Sequence, residues 1–233
     1  MIRGNQSIRA FFGGFFLLLL TNSVAFALDG AALVADECSS CHNLTGPAPS
    51  TLSGILERKA PDLFYAGSKF NRDWLVSWLQ KPTVIRHSGV MFLNYIANKD
   101  GKDSVRQQSI KPCPANLSVA KAKAAAGYLM TLTDSNIKTG VIDPEKKFSK
   151  SKARRLFTKQ SPCIACHTAK LGKRTRGGIS GPDLTQAGSR LNPDWVYARI
   201  ENPQYWDPKT WMPKFELSHK KRELLAQFIS SMK

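Results

Sequence analysis

Acidic residues are scarce in this 233-residue chain: 17 Asp+Glu stand against 34 Lys+Arg, a formal charge of +17. Long apolar runs are also missing. Outside the N-terminus no segment approaches 18 consecutive apolar residues, which excludes further membrane-spanning helices. No run alternates polar and apolar residues over a useful length, so strands are not expected and the fold class reads as all-α. No paired carboxylates, nucleophile–base pair or Gly-rich phosphate loop stands out, so hydrolytic and phosphoryl-transfer chemistry have no visible machinery. Composition is that of an ordinary folded protein, at 42% hydrophobic and 22% charged residues, which excludes wholesale disorder or a collagen-like chain. The excess positive charge implies an anionic partner, whether nucleic acid, membrane surface or acidic protein.

The N-terminus narrows that choice. Arg3 and Arg9 give a basic start, Phe11 to Leu20 is an apolar run of ten, and Ala25-Phe26-Ala27 has the A-x-A form of a cleavage site. Ten residues are too few for a span, which needs about 20. Residues 1–27 therefore read as a cleaved signal peptide, with an uncleaved anchor as the alternative, and the mature chain as periplasmic. An exported protein does not meet the genome, so nucleic acid is dropped as a partner. The mature chain keeps a net charge of +15.

Cysteines in an exported chain normally pair. Here the spacing says otherwise. Cys38-Ser39-Ser40-Cys41-His42 and Cys163-Ile164-Ala165-Cys166-His167 are two copies of C-x-x-C-H, the c-type haem attachment signature. Two thiols at this spacing on a short helix reach both vinyl groups of one haem, and the following imidazole faces the iron. A four-Cys zinc site would not require His after both pairs, and a dithiol enzyme would not duplicate the motif. Two covalent haem c groups are expected.

The motifs belong to a repeat. Pro61-Asp62-Leu63, Ala66-Gly67-Ser68, Trp74, Pro82 and Met91 recur 121 residues later as Pro182-Asp183-Leu184, Ala187-Gly188-Ser189, Trp195, Pro203 and Met212. Asn71 and Asn192 stand where N-caps of a middle helix belong, the second followed by Pro193. Trp74, Leu75, Trp78 and Leu79 form one apolar face, matched by Trp195, Val196 and Ile200. Ser118 and Ser218 would cap a last helix in each unit. The expected organisation is a first unit over 28–135 with an inserted loop at about 92–112, a linker over 136–150, and a second unit over 151–233.

These motifs resemble the class I c-type cytochromes in a tandem two-haem arrangement, over nearly the whole mature chain. The resemblance implies two helical domains, with His42 and His167 as proximal iron ligands and Met91 and Met212 as distal ones. A soft thioether favours Fe(II) and raises the potential relative to a second imidazole. It also implies that a Pro carbonyl accepts the proximal His Nδ1–H. Pro182 is the match in the second unit; in the first, Pro61 matches by register and Pro47 is a rival.

The repeat breaks after Met91. From Met91 to Ser118 there are 27 residues, against 6 from Met212 to Ser218, so a 21-residue insertion separates the first Met from its last helix. The insertion carries the fifth cysteine. Aligned backwards from the helix, Cys113 takes the distal position; aligned forwards, Met91 does. Met91 is the reading adopted, with Cys113 as its alternative and His87 or an open site behind them. Met on both irons leaves a pure electron carrier. A Cys-ligated haem would resemble two-haem enzymes that oxidise thiosulfate-type sulfur compounds.

Splitting the charge by unit gives it direction. Residues 28–135 carry a net +3 and residues 136–233 a net +12. Lys146, Lys147, Lys150, Lys152, Arg154, Arg155 and Lys159 precede the second motif, and Lys170, Lys173, Arg174 and Arg176 follow it. The expected partner is an acidic redox protein docking on the second unit, with an anionic membrane surface as the other candidate.

Overall fold

The computed structural model describes Met1 and residues 28–233; residues 2–27 of the segment read as a signal peptide lie outside them. In the first half, helix α1 (Gly30–Cys38) leads into the first haem motif, and α2 (Leu52–Leu56), α3 (Ala66–Lys69), α4 (Arg72–Gln80) and α5 (Val119–Leu129) follow. The second half repeats the order with α6 (Lys150–Arg155), a π-turn at Leu156–Gln160, α7 (Ala187–Arg190), α8 (Pro193–Glu201) and α9 (His219–Ser230).

Each half buries its own apolar side chains. In the first, α5 packs against both α1 and α4, enclosing Val34, Leu75, Leu79, Ala122, Ala125, Ala126 and Leu129. Small residues on α5 let the helices approach closely. A Cβ on Gly30 would run into the carbonyl oxygen of Ala124, so glycine is required at that crossing. In the second, α8 packs on α9 around Trp195, Val196, Ile200, Leu225 and Ile229, and Phe157 meets Phe228 edge-on at 5.6 Å.

Two short hairpins depart from the all-α expectation. The first, β1 (Ile96–Lys99) with β2 (Lys102–Val105), lies in the inserted loop and turns through Asp100 and Gly101, both with positive φ. The second, β3 (Ala169–Leu171) with β4 (Arg174–Arg176), follows the second motif directly. Their arms are three or four residues long and mostly exposed, so burial imposes little alternation on the sequence.

The segment after α5 is not a solvated tether. Ile137 and Ile142 are buried in the second cluster, and the amides of Gly140 and Ile142 donate to the Asp194 carboxylate at 2.6 and 2.8 Å.

The halves meet about a local two-fold. Phe70 and Leu191, equivalent in the repeat, form an antiparallel bridge. The Asn71 amide donates to Arg190 O at 2.8 Å, and its counterpart Asn192 donates to Lys69 O at 2.9 Å. The same surface on each half thus binds its copy, as in an isologous dimer. The interface also redirects a cap. Asn192 caps α8 as expected, accepting from the Asp194 amide at 2.9 Å. Asn71 does not cap α4; its Nδ2 donates instead to Ser189 O at 2.9 Å, with Leu191 O and Gly188 O at 3.3 and 3.4 Å. Those carbonyls end α7 and lack helical partners, so they win the amide. Nor does Ser218 make a side-chain cap on α9, whereas Ser118 accepts from Lys121 N on α5 at 3.4 Å.

Asn71→Ala should therefore lower stability by about 1–2 kcal/mol through loss of interface hydrogen bonds, read from denaturant unfolding. An unchanged midpoint with unchanged cooperativity between the halves would contradict that role.

Candidate functional site

Both motifs use the same local geometry. In the first, the backbone turns at the end of α1, with His42 N donating to Cys38 O at 2.9 Å. In the second, a short 3-10 turn at Cys163–Ala165 does this work, and His167 N donates to Cys163 O at 3.0 Å. Cys41 and Cys166 are exposed, whereas Cys38 and Cys163 are partly covered. Burial pushes the Cys38 thiol up to about 11, with neighbouring Cys113, then Glu37 and Cys41, adding to it. Burial likewise pushes Cys163 up to about 11, against a backbone hydrogen bond that lowers it.

The imidazoles are anchored alike. His42 Nδ1 lies 2.7 Å from Pro61 O, and His167 Nδ1 lies 2.7 Å from Pro182 O. A carbonyl can only accept, so Nδ1 carries the proton in both rings and Nε2 is left free to bind a metal. Between the two rivals in the first unit, Pro61 makes this bond; Pro47 O accepts from Asn43 Nδ2 instead, at 2.9 Å. Glycine is needed beside the second ring. A Cβ on Gly181 would stand 2.6–2.9 Å from Cε1, Nδ1 and Nε2 of His167.

Met91 is 7% exposed, and Met212 is partly buried against the second core. Their neighbours touch: Phe92 and Trp211 meet edge-on at 4.8 Å, so the two Met loops lie side by side. Cys113 is half-buried and forms no disulfide. His87 faces Asp183 at 3.6 Å, and His219 Nδ1 is 2.7 Å from the Tyr197 hydroxyl.

A set of cations between the halves, with Arg190 buried and Lys69, Arg86 and Arg199 half-buried, escaped the sequence reading. Lys69 Nζ sits over the rings of Phe70, Trp195 and Tyr65 at 4.8, 5.1 and 5.4 Å. Burial, reinforced by Arg199, Arg190 and Arg86, pushes its pKa down to about 7. Burial lowers Arg86, Arg190 and Arg199 as well. The nearest carboxylates are few: Arg58 bridges Asp62 at 2.9 Å and Asp207 at 3.5 Å. Trp195 Nε1 and Arg190 Nε are buried with no hydrogen-bond partner among the described residues. No sequence signal marked these residues, because charged positions of a repeat are ordinarily solvated faces.

The donor set fits a c-type haem. In each motif it offers paired thiols and an imidazole with Nε2 free, and between the halves a buried guanidinium and an indole with unmet N–H groups suited to propionates. Among the described residues there is no cluster of three or more His, Cys, Asp or Glu of the kind that would hold a bare metal ion.

The geometry of both motifs thus fits the attachment of a c-type haem. The Cytochrome c family model matches residues 151–233, so this stretch is similar to a family that carries covalent haem c and transfers electrons. No curated protein and no solved structure matches the chain. No described helix is long and apolar enough to cross a membrane.

Gly181→Val should displace the His167 ring, since overpacking at a rigid contact costs about 1–3 kcal/mol. The expected result is loss of covalent haem from residues 151–233, measured by mass spectrometry of that fragment. Full retention with an unchanged absorption spectrum would show that the contact is not limiting.

Proposed function

We propose that the chain is a periplasmic two-haem c-type cytochrome that passes electrons between redox partners, as a carrier or as the electron-transfer subunit of an oxidoreductase. The observation that carries this reading is the repetition of one anchoring geometry, His Nδ1 to Pro carbonyl at 2.7 Å, behind both C-x-x-C-H motifs. Cys38 and Cys41 would hold one haem and Cys163 and Cys166 the other, in two tandem cytochrome c-like domains. When bound, haem supplies the one-electron Fe(III)/Fe(II) couple. His42 and His167 serve as proximal ligands, their rings fixed by Pro61 and Pro182. Met91 and Met212 serve as distal ligands. Export to the periplasm rests on the basic start, apolar run and A-x-A site within residues 1–27.

Cysteine-to-alanine changes at Cys38 and Cys41 should remove one haem of two per chain, by intact mass and haem staining. A wild-type chain carrying a single haem would refute the two-haem reading.

A second reading has one feature in its favour: aligned backwards from Ser118, Cys113 stands where Met212 stands in the second unit. In that case the first haem is Cys-ligated and the protein is an enzyme oxidising a small sulfur compound. The oxidised spectrum separates the two. The Met-to-iron charge-transfer band should scale to two haems, and Cys113→Ser should leave it unchanged. A band for one haem together with a spectral change in the serine variant would favour the enzyme.

The docking proposal is supported by the basic residues around the second motif. Lys170, Lys173, Arg174 and Arg176 are all exposed on or beside the β3–β4 hairpin, close in sequence to exposed Cys166. A cleft of about 800 Å³ between α6, this hairpin and the end of α9 is rimmed by Lys150, Arg154, Arg155, Lys159, Lys170 and Lys233. A positive field at a haem edge would draw in and orient an acidic redox protein; an anionic membrane surface is the other candidate. Reversing Lys173 and Arg174 to Glu should slow electron exchange with an acidic partner about tenfold at low salt, and much less at high salt. Rates that are equal at low salt would refute docking at this face.

A further inference from the structure

The loops after Pro82 and Pro203 each cross to the other half, where Ile85 O accepts from the Asp183 amide at 2.7 Å and Asp207 meets Arg58 at 3.5 Å. Both loops run on to a candidate distal Met, and they end side by side. There Trp211 stands 69% exposed, the largest apolar side chain so displayed among the described residues. It packs edge-on against half-buried Phe92 at 4.8 Å, and Leu93, 46% exposed, follows Phe92 in the chain. The first half supplies Phe92 and Leu93 and the second supplies Trp211, so the patch spans both.

These side chains are not exposed through slack. Thr210 Oγ1 accepts from Arg199 Nη2 at 3.1 Å and from the Met212 amide at 3.4 Å, and Gln204 Nε2 donates to Met212 O at 3.1 Å. Trp211 is therefore held from both sides. In the first half, Asn94 N donates to Met91 O at 3.1 Å, and Arg106 donates to Tyr95 O and Asn94 O at 2.8 and 3.3 Å. Gly89 has a φ of 79°, and a Cβ there would strike the Tyr95 ring, so this loop closes tightly. An indole on a fixed loop loses little entropy when a partner seats on it, which suits it to anchor an interface.

The rim of the patch is basic. Exposed Lys209 and Lys214 lie within three residues of Trp211, and exposed Arg106 is bonded to Asn94, next to Leu93. None of the three makes a salt bridge among the described residues. Of the acids near them in sequence, Asp207 is bonded to Arg58 and Asp103 to Asn98, which leaves Glu216. An apolar centre with a charged rim is the layout of a protein–protein contact. A second copy of this chain would set like charges against each other, whereas carboxylates would meet the rim favourably.

We infer that Trp211, Phe92 and Leu93 form a second docking face, built on the Met loops rather than on the β3–β4 hairpin, for a redox protein that presents an apolar patch bordered by carboxylates. The inference rests on the reading of the chain as an electron-transfer protein. Phe92 follows Met91 and Trp211 precedes Met212, so a partner seated there meets both units at once and leaves the hairpin face to another partner. One electron passes between the partner's metal or flavin centre and a haem iron of this chain, the one being oxidised as the other is reduced.

The test is film voltammetry of the full holoprotein on gold coated with a carboxylate-terminated alkanethiol monolayer, or with a mixed carboxylate- and methyl-terminated one that imitates the partner's face. Exchange should be faster on the mixed film, and Trp211→Ser should slow it about tenfold there while leaving the rate on the pure carboxylate film unchanged. Trp211→Phe keeps an aromatic anchor and should keep most of the rate. Lys209→Glu with Lys214→Glu should slow exchange on the mixed film at low salt and much less at high salt. The oxidised absorption spectrum should be the same in every variant; a spectrum altered by Trp211→Ser would make Trp211 a support for Met212 and overturn the docking face. Equal mixed-film rates for Trp211→Ser and the wild type would overturn it too. So would a solution dimer, or binding to neutral phosphatidylcholine vesicles, that Trp211→Ser abolishes, since the patch would then belong to a second copy or to a membrane. A wild-type film with no redox wave on either surface would refute the electron-transfer reading itself.

Discussion

A proline carbonyl that accepts an imidazole N–H is the contact on which the rest of this structure depends. Pro61 O and Pro182 O each accept a hydrogen bond from Nδ1 of the histidine that ends a C-x-x-C-H motif, at 2.7 Å. That bond fixes the tautomer, aims Nε2 and ties the motif to a loop distant in sequence. The same loops continue into α3 and α7, which carry the two-fold bridge of Phe70 and Leu191. Ligand orientation and the contact between the halves are thus parts of one connected chain of backbone.

Symmetry governs the interface and the halves alike. The Asn71 and Asn192 amides make reciprocal bonds across the interface, and within each half the equivalent glycines, Gly67 and Gly188, donate to Leu132 O and Met232 O at 2.8 Å each. A duplicated unit meets its copy with one surface, so each favourable contact is made twice. Departures from that symmetry then carry information. Asn71 gives up its cap for the interface, while Asn192 keeps its own.

Much of the candidate site was legible in the chain itself. C-x-x-C-H is a local motif whose chemistry depends on short spacing, and the 121-residue register exposed Pro61 as the partner of Pro182. The hairpins were not legible. Their turns carry a signal in Asp100-Gly101 and Gly172, but arms of three or four residues, of which only β3 buries alternate side chains, are too short to give a readable alternation. The cations between the halves were not legible either. Lys69 and Arg199 look like solvated residues on a helix, until the other half covers them with Trp195, Tyr65 and one another.

The large positive charge shows the same division. Its excess on residues 136–233, and its grouping on both sides of the second motif, follow from the sequence alone, because exposed lysines and arginines near one another in the chain stay near one another in space. The sequence also determined the motif cysteines and histidines, the repeat and its register, and the insertion that interrupts it. Only the tertiary structure decided that Asn71 bonds across an interface and that the loops after Pro82 and Pro203 each reach the other half. Those are contacts between residues far apart in the chain, and their partners are chosen by how two copies of one unit pack, which no local pattern encodes.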